Sequence, residues 1–171
     1  GIKGAGDFLS KTIRGKVTGE SVIKPEYTGD GTLVLEPTYK HIILLDLDEW
    51  GNSIVLDDGL FLACESTLKQ KAVRRKTFSS AFAGGEGFFN LGLKGSGVVC
   101  IESDCSREEL VEITLEDDVV KIDGNLAIAW SGSLDFTVER AGKSLLGSAA
   151  SGEGLVNVYR GTGKVLLAPV G

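Results

Sequence analysis

Gly85-Glu86-Gly87-Phe88-Phe89-Asn90-Leu91-Gly92-Leu93-Lys94-Gly95-Ser96-Gly97-Val98-Val99-Cys100-Ile101-Glu102-Ser103 is the stretch that decides the fold of this chain. Two short apolar runs meet at Gly-x-Gly, where glycine takes positive φ at little steric cost. Beyond the glycines, Val99 and Ile101 stand two apart, so an extended strand puts both on one face. Cys100, between them, is apolar too, and both faces of the strand are expected to be largely covered. The stretch predicts a β-hairpin: an apolar strand from Phe88 to Leu93, a turn at Gly95-Ser96-Gly97, and a second strand.

The same pattern recurs. Gly19-Glu20-Ser21-Val22-Ile23 leads to Gly29-Asp30-Gly31-Thr32-Leu33-Val34-Leu35, and Gly152-Glu153-Gly154-Leu155-Val156 leads to Gly161-Thr162-Gly163-Lys164-Val165-Leu166-Leu167. The three Gly-Glu pairs start 66 and 67 residues apart. A second block, Asp58-Gly59-Leu60-Phe61-Leu62-Ala63-Cys64-Glu65-Ser66-Thr67-Leu68, returns as Asp123-Gly124-Asn125-Leu126-Ala127-Ile128-Ala129-Trp130-Ser131-Gly132-Ser133-Leu134, 65 residues on with one insertion. Asp-Gly between apolar runs predicts a further hairpin in each copy, and His41 to Leu47 a further strand. Two blocks at one period define an internal repeat. The units run over about 15–80, 81–147 and a partial 148–171, within one all-β domain spanning 1–171. The expected architecture is a set of pseudo-three-fold repeated β-hairpins forming a β-helix or barrel-like sandwich, with Gly29, Gly31, Gly95, Gly97, Gly161 and Gly163 as its turns. One helical turn is expected at Ser106-Arg107-Glu108-Glu109, with Ser106 as N-cap and Glu109 completing a capping box.

Composition agrees with many short strands. Glycine supplies 24 of 171 residues, about twice its usual share of ~7%. Only three prolines accompany it, with no collagen period. The net charge of −6 favours solubility and argues against a large nucleic-acid footprint. Cys64, Cys100 and Cys105 are odd in number and lack CxxC spacing, which points to free thiols and a reducing, cytoplasmic compartment. No apolar run is long enough for a membrane helix. The chain contains no methionine, which is read as a trimmed chain, mitochondrial if a presequence has been removed.

Catalytic chemistry finds little to use. His41 is the single histidine, and its place in an Ile-rich strand predicts a structural role; neither metal nor cofactor is expected. Ser79, Ser80 and the cysteines lack a histidine partner in any visible motif, and no Gly-x-Ser-x-Gly elbow exists. Glu20, Glu86 and Glu153 recur at equal positions, where each is expected to support the adjacent turn. Phosphate-binding glycine loops need a following helix to aim their amides, and here strands follow. Charge patterning gives the one surface hint. Lys69, Lys71, Arg74, Arg75 and Lys76 place five cations in eight residues, while Glu102 to Asp123 carries nine acids. These are expected to be charged edges that discourage strand pairing; pairing of opposed patches between subunits, or contact of the basic arm with nucleic acid or an acidic membrane surface, are the alternatives.

Five segments together carry a family resemblance: Ala83-Gly84-Gly85-Glu86-Gly87-Phe88-Phe89; Gly95-Ser96-Gly97-Val98-Val99; Asp123-Gly124-Asn125-Leu126-Ala127-Ile128-Ala129-Trp130; Leu134-Asp135-Phe136-Thr137-Val138-Glu139-Arg140; and Ser151-Gly152-Glu153-Gly154-Leu155-Val156-Asn157. The chain resembles the altered inheritance of mitochondria protein 24 family, a mitochondrial biogenesis family with many prokaryotic members. The resemblance implies a pseudo-three-fold β-helix or barrel related to the tryptophan RNA-binding attenuator fold. It implies a tie to inner-membrane organisation for mitochondrial members and no assigned reaction for prokaryotic ones. Two departures stand out: an N-terminal half-unit usual in the family and a mitochondrial presequence are both absent from this sequence. The functional expectation is a non-enzymatic scaffold acting through protein partners, as a homo-oligomer, with a ligand- or RNA-binding module as the alternative.

Overall fold

The computed structural model describes residues 25–36, 38–74, 89–123, 125–140 and 155–169. Ten strands follow in chain order: β1 (His41–Asp46), β2 (Ser53–Leu56), β3 (Phe61–Cys64), β4 (Lys69–Arg74), β5 (Phe89–Lys94), β6 (Val98–Ser103), β7 (Val111–Asp123), β8 (Ala127–Ser131), β9 (Asp135–Arg140) and β10 (Leu155–Leu167). A 3-10 turn, Leu47–Trp50, joins β1 to β2. It is capped by the Asp46 side chain, which accepts from the Asp48 N–H at 3.0 Å. The strands form a three-stranded sheet of order β1-β6-β3 and a seven-stranded sheet of order β4-β5-β2-β8-β10-β7, with β9 also on β10. Every pairing is antiparallel. The fold is all-β, a curled half-barrel sheet with a second sheet against it.

All six Gly-x-Gly glycines carry positive φ, from 115° at Gly161 to 157° at Gly163, but none of the described turns is a hairpin. β5 bonds β2 and β4 in the large sheet, whereas β6, two glycines later, bonds β1 and β3 in the small one. Gly95-Ser96-Gly97 is therefore a corner between sheets. Gly161-Thr162-Gly163 lies inside β10 as a register shift against β7. Asp58-Gly59 likewise passes the chain from one sheet to the other, and β7 and β8 lie on opposite sides of β10. The physical reason is the two-faced apolar character of these strands. Folding the two arms flat against each other covers one face at most, while a corner gives each arm its own neighbours and both faces a core.

The corners are built alike. At Gly97 an added Cβ would lie 2.5 Å from Glu65 Oε2 and 2.7 Å from Thr67 Oγ1. At Gly163 it would lie 2.7 Å from Ser131 Cβ and 3.0 Å from Ser133 Oγ. Each corner is thus seated on a four-residue turn of the neighbouring strand pair, closed by Leu68 N–H to Glu65 C=O in one copy and Leu134 N–H to Ser131 C=O in the other, both 3.1 Å. The first residue of each turn also caps the strand leaving the corner. Glu65 accepts from Val98 N–H at 2.8 Å, and Ser131 accepts from Lys164 N–H at 3.0 Å.

The whole topology repeats. β5 and β6 are flanked by β2 and β1 on one side and by β4 and β3 on the other. The two halves of β10 are flanked in the same way by the two halves of β7 and by β9 and β8. The copies join through β2 and β8, with Val55 opposite Trp130. Alternate residues of β2 then enter two cores. Ile54 and Leu56 pack with Ile43, Leu45, Leu93, Val99, Ile101 and Leu166. Val55 packs with Trp130, Leu134, Tyr159 and Val165. The second core centres on Trp130, Phe136 and Tyr159, whose ring centroids lie 5.1–5.4 Å apart.

One part of the repeat departs from expectation. Leu33, Val34 and Leu35 belong to no strand and are exposed, Val34 at 84%. The counterparts of Leu33, Val99 and Val165, are fully buried. No described residue supplies strands beside 25–36 as β1 and β3 do beside β6. Apolar periodicity creates a strand only when a ladder partner is present.

Gly97→Val is expected to destabilise the fold by about 1–3 kcal/mol, read as a fall in thermal midpoint. Gly31→Val, where nothing lies within 4 Å, should cost less. Trp130→Ala, which empties the second core, should cost about 3–5 kcal/mol by denaturant titration.

Candidate functional surface

Of the basic arm, Lys69 and Lys71 are exposed on β4, the edge of the large sheet, and Arg74 ends that strand. Arg75 and Lys76 lie outside the described residues. The register adds a residue that spacing along the chain does not suggest: Lys94 stands directly opposite Lys69 across the β4–β5 ladder. Lys71 stands opposite Gly92, and its stem lies over that glycine, with Cγ 3.1 Å and Cε 3.3 Å from where a Cβ would be. Three ammonium-bearing chains therefore share one face around a glycine floor. The signal that reveals Lys94 is the repeat itself, since Lys69 and Lys94 occupy the positions of Asp135 and Arg160.

In the second copy that position is neutralised. Asp135 stands opposite Arg160. The Arg160 guanidinium donates to Thr137 Oγ1 at 3.1 Å and to the Glu139 carboxylate, which also receives Lys121 Nζ at 3.3 Å. The hydrogen bond from Arg160 is the main reason the Glu139 carboxyl sits below its ordinary range; partial desolvation opposes it, and Lys121 adds to it.

The remaining candidates are dispersed. His41 lies on β1 as expected of the strand, but it is exposed rather than built into a core. Its charge contributes to lowering the carboxyls of Glu108 and Glu109, for which hydrogen bonds from backbone N–H groups, their own and that of Ser106 respectively, are the main cause. Glu109 accepts from Ser106 N–H at 2.8 Å, the reciprocal arm of the expected capping box. Cys64, Cys100 and Cys105 are not joined in disulfides, and Cys105 is buried. Burial, assisted by Glu102, raises the Cys100 thiol. Among the described residues no group of three or more His, Cys, Asp or Glu is placed to hold a metal ion, and no helix is long and apolar enough to cross a membrane. Glu20, Glu86, Glu153, Ser79 and Ser80 lie outside the described residues.

A different feature is prominent. Among the described residues β1 is an edge strand of the small sheet, and its outward side chains Ile42 and Leu44 are exposed, Leu44 at 67%. Ile43 and Leu45 on the other face are buried. The unpaired backbone groups of an edge strand, next to apolar side chains, form a surface that another chain can cover.

The family model described as "Mitochondrial biogenesis AIM24" matches residues 2–170. An uncharacterised protein of Streptococcus pyogenes serotype M6 is 31% identical over 173 residues, covering 97% of this chain and 67% of its own length. A crystal structure of another Streptococcus pyogenes protein superposes with a TM-score of 0.56 at 29% identity, covering 76% of this chain. This chain accounts for 54% of that protein's length.

The Glu139 carboxyl is expected to titrate below an ordinary glutamate by NMR and to rise when Arg160 is replaced by leucine. Because its native pKa is depressed, its favourable contribution is present above the unfolded-state pKa and is lost as pH falls through the lowered native value.

Proposed function

We propose, from the premise that the chain belongs to the mitochondrial biogenesis AIM24 family, that it is a non-enzymatic scaffold acting through protein–protein contacts, beginning with a second copy of itself. The observation that carries this reading is β1, an edge strand among the described residues, with Ile42 and Leu44 facing outward. Burying two such side chains is worth several kcal/mol before ordering costs, and the free edge adds directional hydrogen bonds. Leu33, Val34 and Leu35 add further exposed apolar side chains. The family description refers to biogenesis, a setting suited to a contact-making protein. Three cysteines outside any disulfide suit a reducing compartment such as the cytoplasm.

Sedimentation velocity at several concentrations tests the reading. The chain is expected to associate reversibly, and Leu44→Glu, which sets a charge on the outward face while leaving the buried face alone, is expected to shift it to monomer. A strict monomer that captures no partner in a pull-down from its native host would overturn the proposal.

A further inference from the structure

We propose that Lys69, Lys71 and Lys94 form a binding site for a phosphate group, on the edge of the large sheet and distinct from the apolar β1 edge. The argument rests on the difference between two copies of one structure. Lys69 and Lys94 are direct cross-strand partners, and like charges in that position destabilise a ladder. Sixty-six residues on, the same two positions hold Asp135 and Arg160. In that copy Thr137 and Glu139 accept from the arginine. The first copy keeps a cation at the arginine position and has neither of these acceptors nor the facing aspartate. Asp135 is replaced by Lys69, Thr137 by Lys71, and Glu139 by Val73, which packs against the second core.

The floor changes in step. Val158, fully buried in the second copy, is replaced by Gly92, and the space so opened is taken by Val73, whose Cγ2 lies 2.6 Å from where a Cβ would be, and by the Lys71 stem beside it. No acidic side chain among the described residues pairs with any of the three lysines. An anion carrying more than one charge and several acceptor oxygens removes the repulsion at all three. A phosphate group meets that need, and lysines bind it as point charges. In a chain of net charge −6 such a spot acts locally, within a screening length of about 8 Å.

The test uses the full chain and the variant Lys69→Asp, which places an aspartate opposite Lys94 as Asp135 stands opposite Arg160. Inorganic phosphate is titrated at low salt by NMR of the lysine side chains and by thermal shift. Flotation on phosphatidylcholine vesicles with and without phosphatidic acid forms the second arm. The wild type is expected to bind at least one probe, with Lys69→Asp weakened on the order of tenfold or more. In phosphate-free buffer the variant is expected to melt above the wild type. Response to inorganic phosphate identifies a free phosphate compound as the ligand, and response to phosphatidic acid vesicles alone identifies a lipid headgroup; either supports the site. No response to either probe, equal binding by the variant, or a response confined to single-stranded RNA would overturn it. So would loss of self-association in Lys69→Asp without any phosphate binding, which would assign the lysines to a contact between copies.

Discussion

The seating of a Gly-x-Gly corner on a four-residue turn of the neighbouring strand pair is the interaction on which the rest of the structure depends. At Gly97 and Gly163 there is no room for a Cβ, because Glu65 and Thr67 in one copy, and Ser131 and Ser133 in the other, occupy the space. The positive φ is not merely tolerated there. It aims β6 into the small sheet after β5 has left the large one, and the side chain that fills the corner also holds the first N–H beyond it. Two apolar layers then become available to strands that are hydrophobic on both faces.

Much of this was legible in the sequence. The repeat, the strand segments, the glycine positions and the need for cover on both faces follow from local pattern, because side-chain period and turn chemistry are local properties. Strand partners are not local. Val98 to Ile101 reads the same whether it pairs with β5 or with β1, so the hairpin expectation failed at every described corner while the strands themselves were placed well. Val34 failed for a related reason: its counterpart Leu166 is buried in the first core, and periodicity cannot report whether flanking strands exist.

The candidate surfaces divide along the same line. Lys69 and Lys71 were visible as a run of charge, but Lys94 enters only through cross-strand register. Ile42 and Leu44 were read as strand residues with no indication that their strand would be an edge. Comparing the two copies recovers part of what local reading misses. Where they agree, at glycines, leucines and turn residues, the constraint is architectural. Where they differ, as at Lys69–Lys94 against Asp135–Arg160, geometry is kept while chemistry changes, and specific function has room to reside.

Native-state amide hydrogen exchange at Val98 and Lys164 tests the central claim most directly. Each N–H donates to a side chain of the neighbouring turn. If the seated corner organises the fold, both amides exchange only through large-scale opening, with protection close to that of the buried strands and far above that of Ser96. Exchange at both as fast as at Ser96 would show that the corners are peripheral and that the two sheets hold together without them.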